Sequence, residues 1–208
     1  MPLSHTPQEP QKVWEALLAG NKRFVHELSE RPNTDSKRRY GLRSGQDPRV
    51  VVLSCSDSRA PVELVFDIGL GDAFVIRTAG HIVDTSVLAS LEYAIENLGV
   101  NLVVVMGHQS CGAIGATAGV IDDGATIPVG FQRAIVEKIS LAAQAVHAQG
   151  STSTAEYERE HTRQTVDRLL ANVHALQHKV DEGSIGVVGA RYLLDDGRIE
   201  PVVYHGVE

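Results

Sequence analysis

Apolar residues along this chain fall into short continuous blocks and longer stripes at helical spacing. The blocks are "VVVLS" at 50–54, "AFVIR" at 73–77, "NLVVVMG" at 101–107 and "SIGVVGA" at 184–190. Each is brief and mostly apolar, with β-branched residues prominent, which is the pattern of a strand covered on both faces. The stripes lie between and around them. Over 11–28, Val13, Trp14, Leu17, Leu18, Phe24, Val25 and Leu28 recur at helical spacing, although Gly20 weakens the middle. "DTSVLASLEYAIENLG" predicts a helix capped by Asp84 or Thr85 and ended by Gly99. Two further helices are expected over 130–149 and 154–182, the second with Val166, Leu169, Leu170, Val173, Leu176 and Val180 on one face. Residues 29–48 are polar and broken by Pro32, Gly41, Gly45 and Pro48, so they predict loop with room for a short helix. "YLLDDGRIEPVV" at 192–203 predicts a hairpin turning at Asp196–Gly197 that adds an edge strand. Strands alternating with helices imply an α/β fold on a mostly parallel sheet. No repeat, low-complexity tract or linker divides the chain, so residues 1–208 are expected to form one domain.

Composition narrows the function classes. With 43% hydrophobic and 22% charged residues the chain reads as globular, and a net charge of −7 argues against a basic nucleic-acid surface. No apolar run approaches the roughly 20 residues that span a bilayer. The opening "MPLSHTPQEPQKVW" has no apolar core of a secretory signal. Two cysteines without a signal make a poor disulfide framework, so a cytoplasmic setting is expected.

Those two cysteines change the picture. Cys55 stands in "SCSDSR" at 54–59, just past the first expected strand; His108 and Cys111 stand in "HQSCGA" at 108–113, just past the third. Ligands of open parallel sheets bind at the carboxyl ends of strands, where strand order reverses. If the first and third strands are neighbours, two thiolates and an imidazole converge there, which is a zinc set. Asp57 is a possible fourth ligand. Arg59, two residues on, can instead hold its carboxylate in a charge-assisted pair, so Asp57 could alternate between metal and arginine.

Other readings are open to the same residues. Two inert core thiols are the bland one, but both cysteines sit in polar, turn-like contexts. A cysteine-phosphatase loop is excluded, because only three residues separate Cys55 from Arg59. A structural zinc would use the same ligands but gives Arg59 no task. "CGAIGATAG" fits neither glycine-rich phosphate motif and suggests close helix packing, and "GLGDAF" suggests a tight turn. His174 and His178 lie i, i+4 on a helix and read as a solvated face. His81 is either a proton carrier at the rim or a polar loop residue. His5, His26, His147, His161 and His205 have no telling context.

"CSDSR" followed about fifty residues later by "GHQSCGA" resembles the β-class carbonic anhydrases, and the likeness runs from "LLAGNKRFV" to the last strands. It looks nearest to actinobacterial members. The resemblance implies zinc (Zn2+) on Cys55, His108 and Cys111, and a catalytic dyad of Asp57 and Arg59. It also implies a substrate pocket using Gln46 in "GQDP", Phe74 in "AFVIR" and Tyr93 in "LEYA". It further implies an antiparallel edge strand, helices on both sheet faces, an N-terminal helix packed on a partner subunit, and homodimers or homotetramers. The implied reaction is reversible hydration of carbon dioxide to bicarbonate, with no organic cofactor. Hydrolysis of carbonyl sulfide or carbon disulfide on the same scaffold, and a non-catalytic metal-binding regulator, are the alternatives. In members with a dedicated bicarbonate pocket, closure of the site at low pH is linked to a tryptophan three residues before the first cysteine. Val52 stands there, although Arg77 could support part of such a pocket. An open site with Asp57 on Arg59 is therefore expected near neutral pH.

Overall fold

The computed structural model describes residues 9–208. It begins with helix α1 (Pro10–Val25), the short α2 (Ser36–Gly41) and a 3-10 turn, and continues through β1 (Val50–Cys55), α3 (Val62–Val65) and β2 (Ala73–Thr78). A 3-10 turn at Ala79–His81 leads to α4 (Thr85–Glu96), β3 (Leu102–His108) and α5 (Gly112–Asp122). Helices α6 (Arg133–His147), α7 (Thr154–Asn172) and α8 (His174–Asp181) precede β4 (Gly186–Tyr192) and β5 (Ile199–His205).

The strands order as β2-β1-β3-β4-β5, with β1, β2, β3 and β4 parallel and β5 antiparallel to β4. Alternation along the blocks explains why they are apolar throughout. Val50, Val52, Val104 and Met106 point to one face, under α1 and α3; Val51, Leu53, Val103 and Val105 point to the other, under α4, α7 and α8. The chain leaves β1 toward β2 on one side and then crosses to β3 on the other. The crevice this reversal opens at the carboxyl ends is where the sequence places its two motifs.

Several expectations need correction. The first helix stops at Val25, and Leu28 is 69% exposed beyond it. Part of its apolar face packs within the chain: Trp14 is 1% exposed in the core beneath the sheet. Gly20, read as a weakness, allows that docking, because a Cβ there would lie 1.9 Å from the Phe66 carbonyl oxygen. The block at 73–77 is not buried on both faces. It forms edge strand β2 and stays half-covered along most of its length.

The stripe over 154–182 is two helices, broken at Val173, whose ψ of 90° is not helical. One straight helix would run about 43 Å, roughly twice the length of a seven-residue strand. The break lets Leu169 and Leu176 both reach the same core. The glycines of "CGAIGATAG" do not serve close helix packing. Around a Cβ at Gly112 or Gly115 there is open space, and the segment simply forms α5.

Candidate metal centre

Cys55 is the last residue of β1, His108 the last of β3, and Cys111 the N-cap of α5. Parallel pairing of β1 with β3 brings these ends side by side. The three side chains are buried, and their ligand atoms all lie within 4.8 Å of one another. The bland alternative of scattered core thiols is thereby removed.

The hydrogen bonds define which atoms are left over. His108 donates from Nδ1 to the Gln109 carbonyl at 2.9 Å, which orients the ring and turns Nε2 toward the sulfurs. That Nε2 is buried and has no hydrogen-bond partner among the described residues. The Cys55 sulfur accepts from the Gly80 amide at 3.2 Å and the Asp57 amide at 3.4 Å. The facing Cys111 thiol, with the nearby His108 imidazole and these amides, outweighs burial and holds the Cys55 thiol below its ordinary range. Cys111, facing that thiolate and desolvated, is pushed up. The second thiol thus resists ionising unless positive charge enters between them. A lone buried imidazole nitrogen beside two such sulfurs fits a divalent metal.

Asp57 and Arg59 stand over this trio. Arg59 donates from Nε to Oδ1 at 3.0 Å and from Nη2 to Oδ2 at 2.8 Å, while its own amide also reaches Oδ1 at 2.9 Å. A further bond from Nη2 to the Ser110 carbonyl ties the arginine to the second motif. This grip holds the Asp57 carboxyl well below the usual carboxylate range. Oδ2 lies 3.9 Å from His108 Nε2, so the carboxylate faces the ligand cluster while still paired.

The family model for carbonic anhydrase matches residues 50–199, spanning both motifs. The chain belongs to the β class of that family. It is 43% identical over 189 residues to carbonic anhydrase 2 of Mycobacterium tuberculosis, covering 91% of each chain. It is 42% identical over 191 residues to the carbonic anhydrase of Mycolicibacterium smegmatis, covering 92% of each. Among solved structures, the β-carbonic anhydrase CcaA superposes with a TM-score of 0.71 at 23% identity, covering 90% of this chain and 86% of that one. The Coccomyxa β-carbonic anhydrase crystallised with acetazolamide gives 0.69 at 22%, over 89% and 84%. These two establish the shared fold.

The remaining residues singled out by this family likeness are not gathered at the metal ligands within one chain. Phe74 pairs in register with Val51, four residues back from Cys55 and so about 13 Å down the sheet. It packs against Tyr93, with ring centroids 6.2 Å apart, and Tyr93 is 48% exposed. Gln46 is exposed in the segment that enters the opposite end of β1. His81 is fully buried rather than at a rim. His174 and His178 lie on the solvated side of α8, with His178 paired to Glu182 at 3.3 Å. His5 lies outside the described residues.

Three supports were not legible as such in the sequence. Arg77 spends its guanidinium on the carbonyls of Cys55, Asp57 and Ala60, at 2.9, 2.7 and 3.3 Å, bracing the whole "CSDSR" loop. Glu158 is 1% exposed on α7; it accepts the Cys111 amide at 3.3 Å and the Arg191 guanidinium at 2.6 Å. His161, one turn on, bonds Gly80. The one sequence signal was negative: the first half of the 154–182 helix has polar residues where an apolar stripe should begin.

Proposed function

We propose that this chain catalyses the reversible hydration of carbon dioxide to bicarbonate and a proton, as a zinc enzyme. The observation that carries the reading is the buried, unpartnered Nε2 of His108 between two thiols, with an arginine-held aspartate 3.9 Å away. Two thiolates and one imidazole suit zinc and leave a fourth position open. When bound, zinc supplies the Lewis acidity that makes water a nucleophile near neutral pH. The remaining tasks fall to the chain. Asp57, ionised and locked by Arg59, accepts a hydrogen bond from the attacking water and so aims its lone pair at the substrate carbon. Because Arg59 also anchors to Ser110, the dyad keeps its place relative to both cysteine-bearing segments. Closure by Asp57 onto the metal would draw Oδ2 away from the Arg59 guanidinium.

Phe74, Tyr93 and Gln46 form the substrate-binding wall in this reading, the two rings excluding water from an apolar triatomic molecule and the amide donating to a substrate oxygen. Their distance from the metal ligands of their own chain, and the half-covered apolar edge of β2, favour a homo-oligomer in which they serve the centre of a second copy. The two free, buried thiols suit a reducing, cytoplasmic setting.

The test is a stopped-flow assay of carbon dioxide hydration run beside carbonyl sulfide hydrolysis, with metal chelated and then restored. Hydration lost on chelation and regained with zinc is the expected result. Carbonyl sulfide turnover without hydration would replace this substrate, and a metal-loaded protein with neither activity would leave a regulator.

A further inference from the structure

We infer that His161 is a positioning residue for the metal-binding thiolate of Cys55, acting through Gly80. The inference rests on the zinc reading above. His161 lies on α7, is 5% exposed, and its Nε2 is 2.9 Å from the Gly80 carbonyl oxygen. A carbonyl only accepts, so Nε2 carries the proton and donates. Burial pushes the ring pKa down to about 4, which keeps it neutral and in that tautomer at neutral pH. The other end of Gly80 faces the metal site, where its N–H donates to the Cys55 sulfur at 3.2 Å. One residue is thus held by an imidazole on one side and presents a donor to a thiolate on the other.

The turn needs such a hold. Gly80 and His81 are consecutive left-handed residues, with φ of 64° and 42°, and the second is not a glycine. A non-glycine residue there carries backbone strain. A Cβ at Gly80 would meet Ala113 at 2.8 Å and Ile139 at 3.0 Å, so the turn is also pressed against α5 and α6. The His81 ring makes no hydrogen bond among the described residues and packs on His161 with centroids 4.5 Å apart. His161 therefore holds the strained pair from below by both a hydrogen bond and ring contact. An N–H···S bond withdraws charge from a thiolate, so the geometry His161 enforces tempers how strongly Cys55 donates to its metal.

The test uses the full chain with zinc, and with cobalt(II) replacing zinc as a spectroscopic probe. His161→Leu should free the Gly80 turn that places Cys55, and this loss of positioning should outweigh the thiolate's gain in donor strength. Zinc should then be released to a chelator about tenfold faster, at the low end of outer-shell effects on metal affinity. The stronger donor should also shift the sulfur-to-cobalt charge-transfer band to longer wavelength. His161→Gln, whose amide nitrogen can stand where Nε2 does, should restore both, whereas His161→Asn, which is too short, should not. The Gln/Asn contrast decides the matter even if the leucine variant does not fold. Equal behaviour of those two variants, or wild-type release and band position in a folded His161→Leu, would overturn the role. An unaltered protein that takes up neither zinc nor cobalt would instead bring down the metal reading, and this inference with it.

Discussion

Arg59 holds Asp57 by both carboxylate oxygens, at 3.0 and 2.8 Å, and the same carboxylate lies 3.9 Å from the free nitrogen of His108. A structural metal site has no use for an acid held in this way. The arrangement keeps a charged acceptor beside the cluster of Cys55, His108 and Cys111 and holds it on the arginine. Arg59→Ala should lower hydration by about a hundredfold or more and leave zinc content intact, which stopped-flow rates with elemental analysis of the same sample can check. A wild-type rate in that variant would remove the dyad from the mechanism.

On the zinc reading, the metal has three protein ligands and none to spare. Cys55→Ser, Cys111→Ser and His108→Ala should each purify with little or no zinc and with no hydration activity. Because a ligand that binds only the folded state stabilises it, the same variants should also melt lower than the zinc-loaded parent. Full zinc occupancy in any one of them would contradict the assignment.

Acid stability has a separate source, remote from the metal ligands. Asp67 is 3% exposed and accepts from Arg23 at 2.6 Å and from the amides of Glu30 and Arg31 at 3.0 and 2.9 Å. Burial raises its pKa, but these donors outweigh burial and hold it below the ordinary carboxylate value. A depressed folded-state pKa contributes stability above the unfolded value of about 4 that is lost as pH falls through and below it. Asp67→Asn should therefore cost roughly 1–3 kcal/mol near neutrality and flatten the loss below pH 4. Urea titrations of both proteins across pH 3–7 measure the difference, and parallel acid limbs would exclude it.

Two glycines should behave oppositely. Gly20→Ala drives a Cβ to within 1.9 Å of the Phe66 carbonyl oxygen and should destabilise by about 1–3 kcal/mol or more as α1 is pushed off the core. Gly115→Ala adds a Cβ into open space inside α5 and should stabilise by about 0.5–1 kcal/mol. Melting temperatures of the two variants should move in opposite directions, and a shared direction would show that the surroundings of one glycine have been misjudged.

Much of this molecule could be read from the chain. Strand blocks at 50–54, 101–107 and 184–190 match β1, β3 and β4 within about two residues, because burial on both faces leaves no polar position to blur them. Cys55, His108 and Cys111 were legible because strand ends project their next residues into a shared crevice, so local sequence and topology agree. Asp57 and Arg59 were legible for a different reason: a two-residue spacing in one loop needs no long-range fold to make the pair.

What the sequence could not decide were the contacts set by distance in three dimensions. The block "AFVIR" carries no mark of being an edge, since an edge and a central strand differ only in what lies beside them. Trp14 looks the same whether it packs on its own sheet or on another subunit. The break at Val173 follows from the length of the sheet, which no local window contains. Glu158 and His161 read as ordinary polar helix residues until α7 is laid beneath the crevice, where they meet Cys111 and Gly80 across 47 and 81 residues of chain. Hydrophobic period and short-range spacing are properties of the chain itself, and they mark its elements and its candidate ligands. The partners of a buried polar group depend on which elements packing brings together, so only the tertiary structure could supply them.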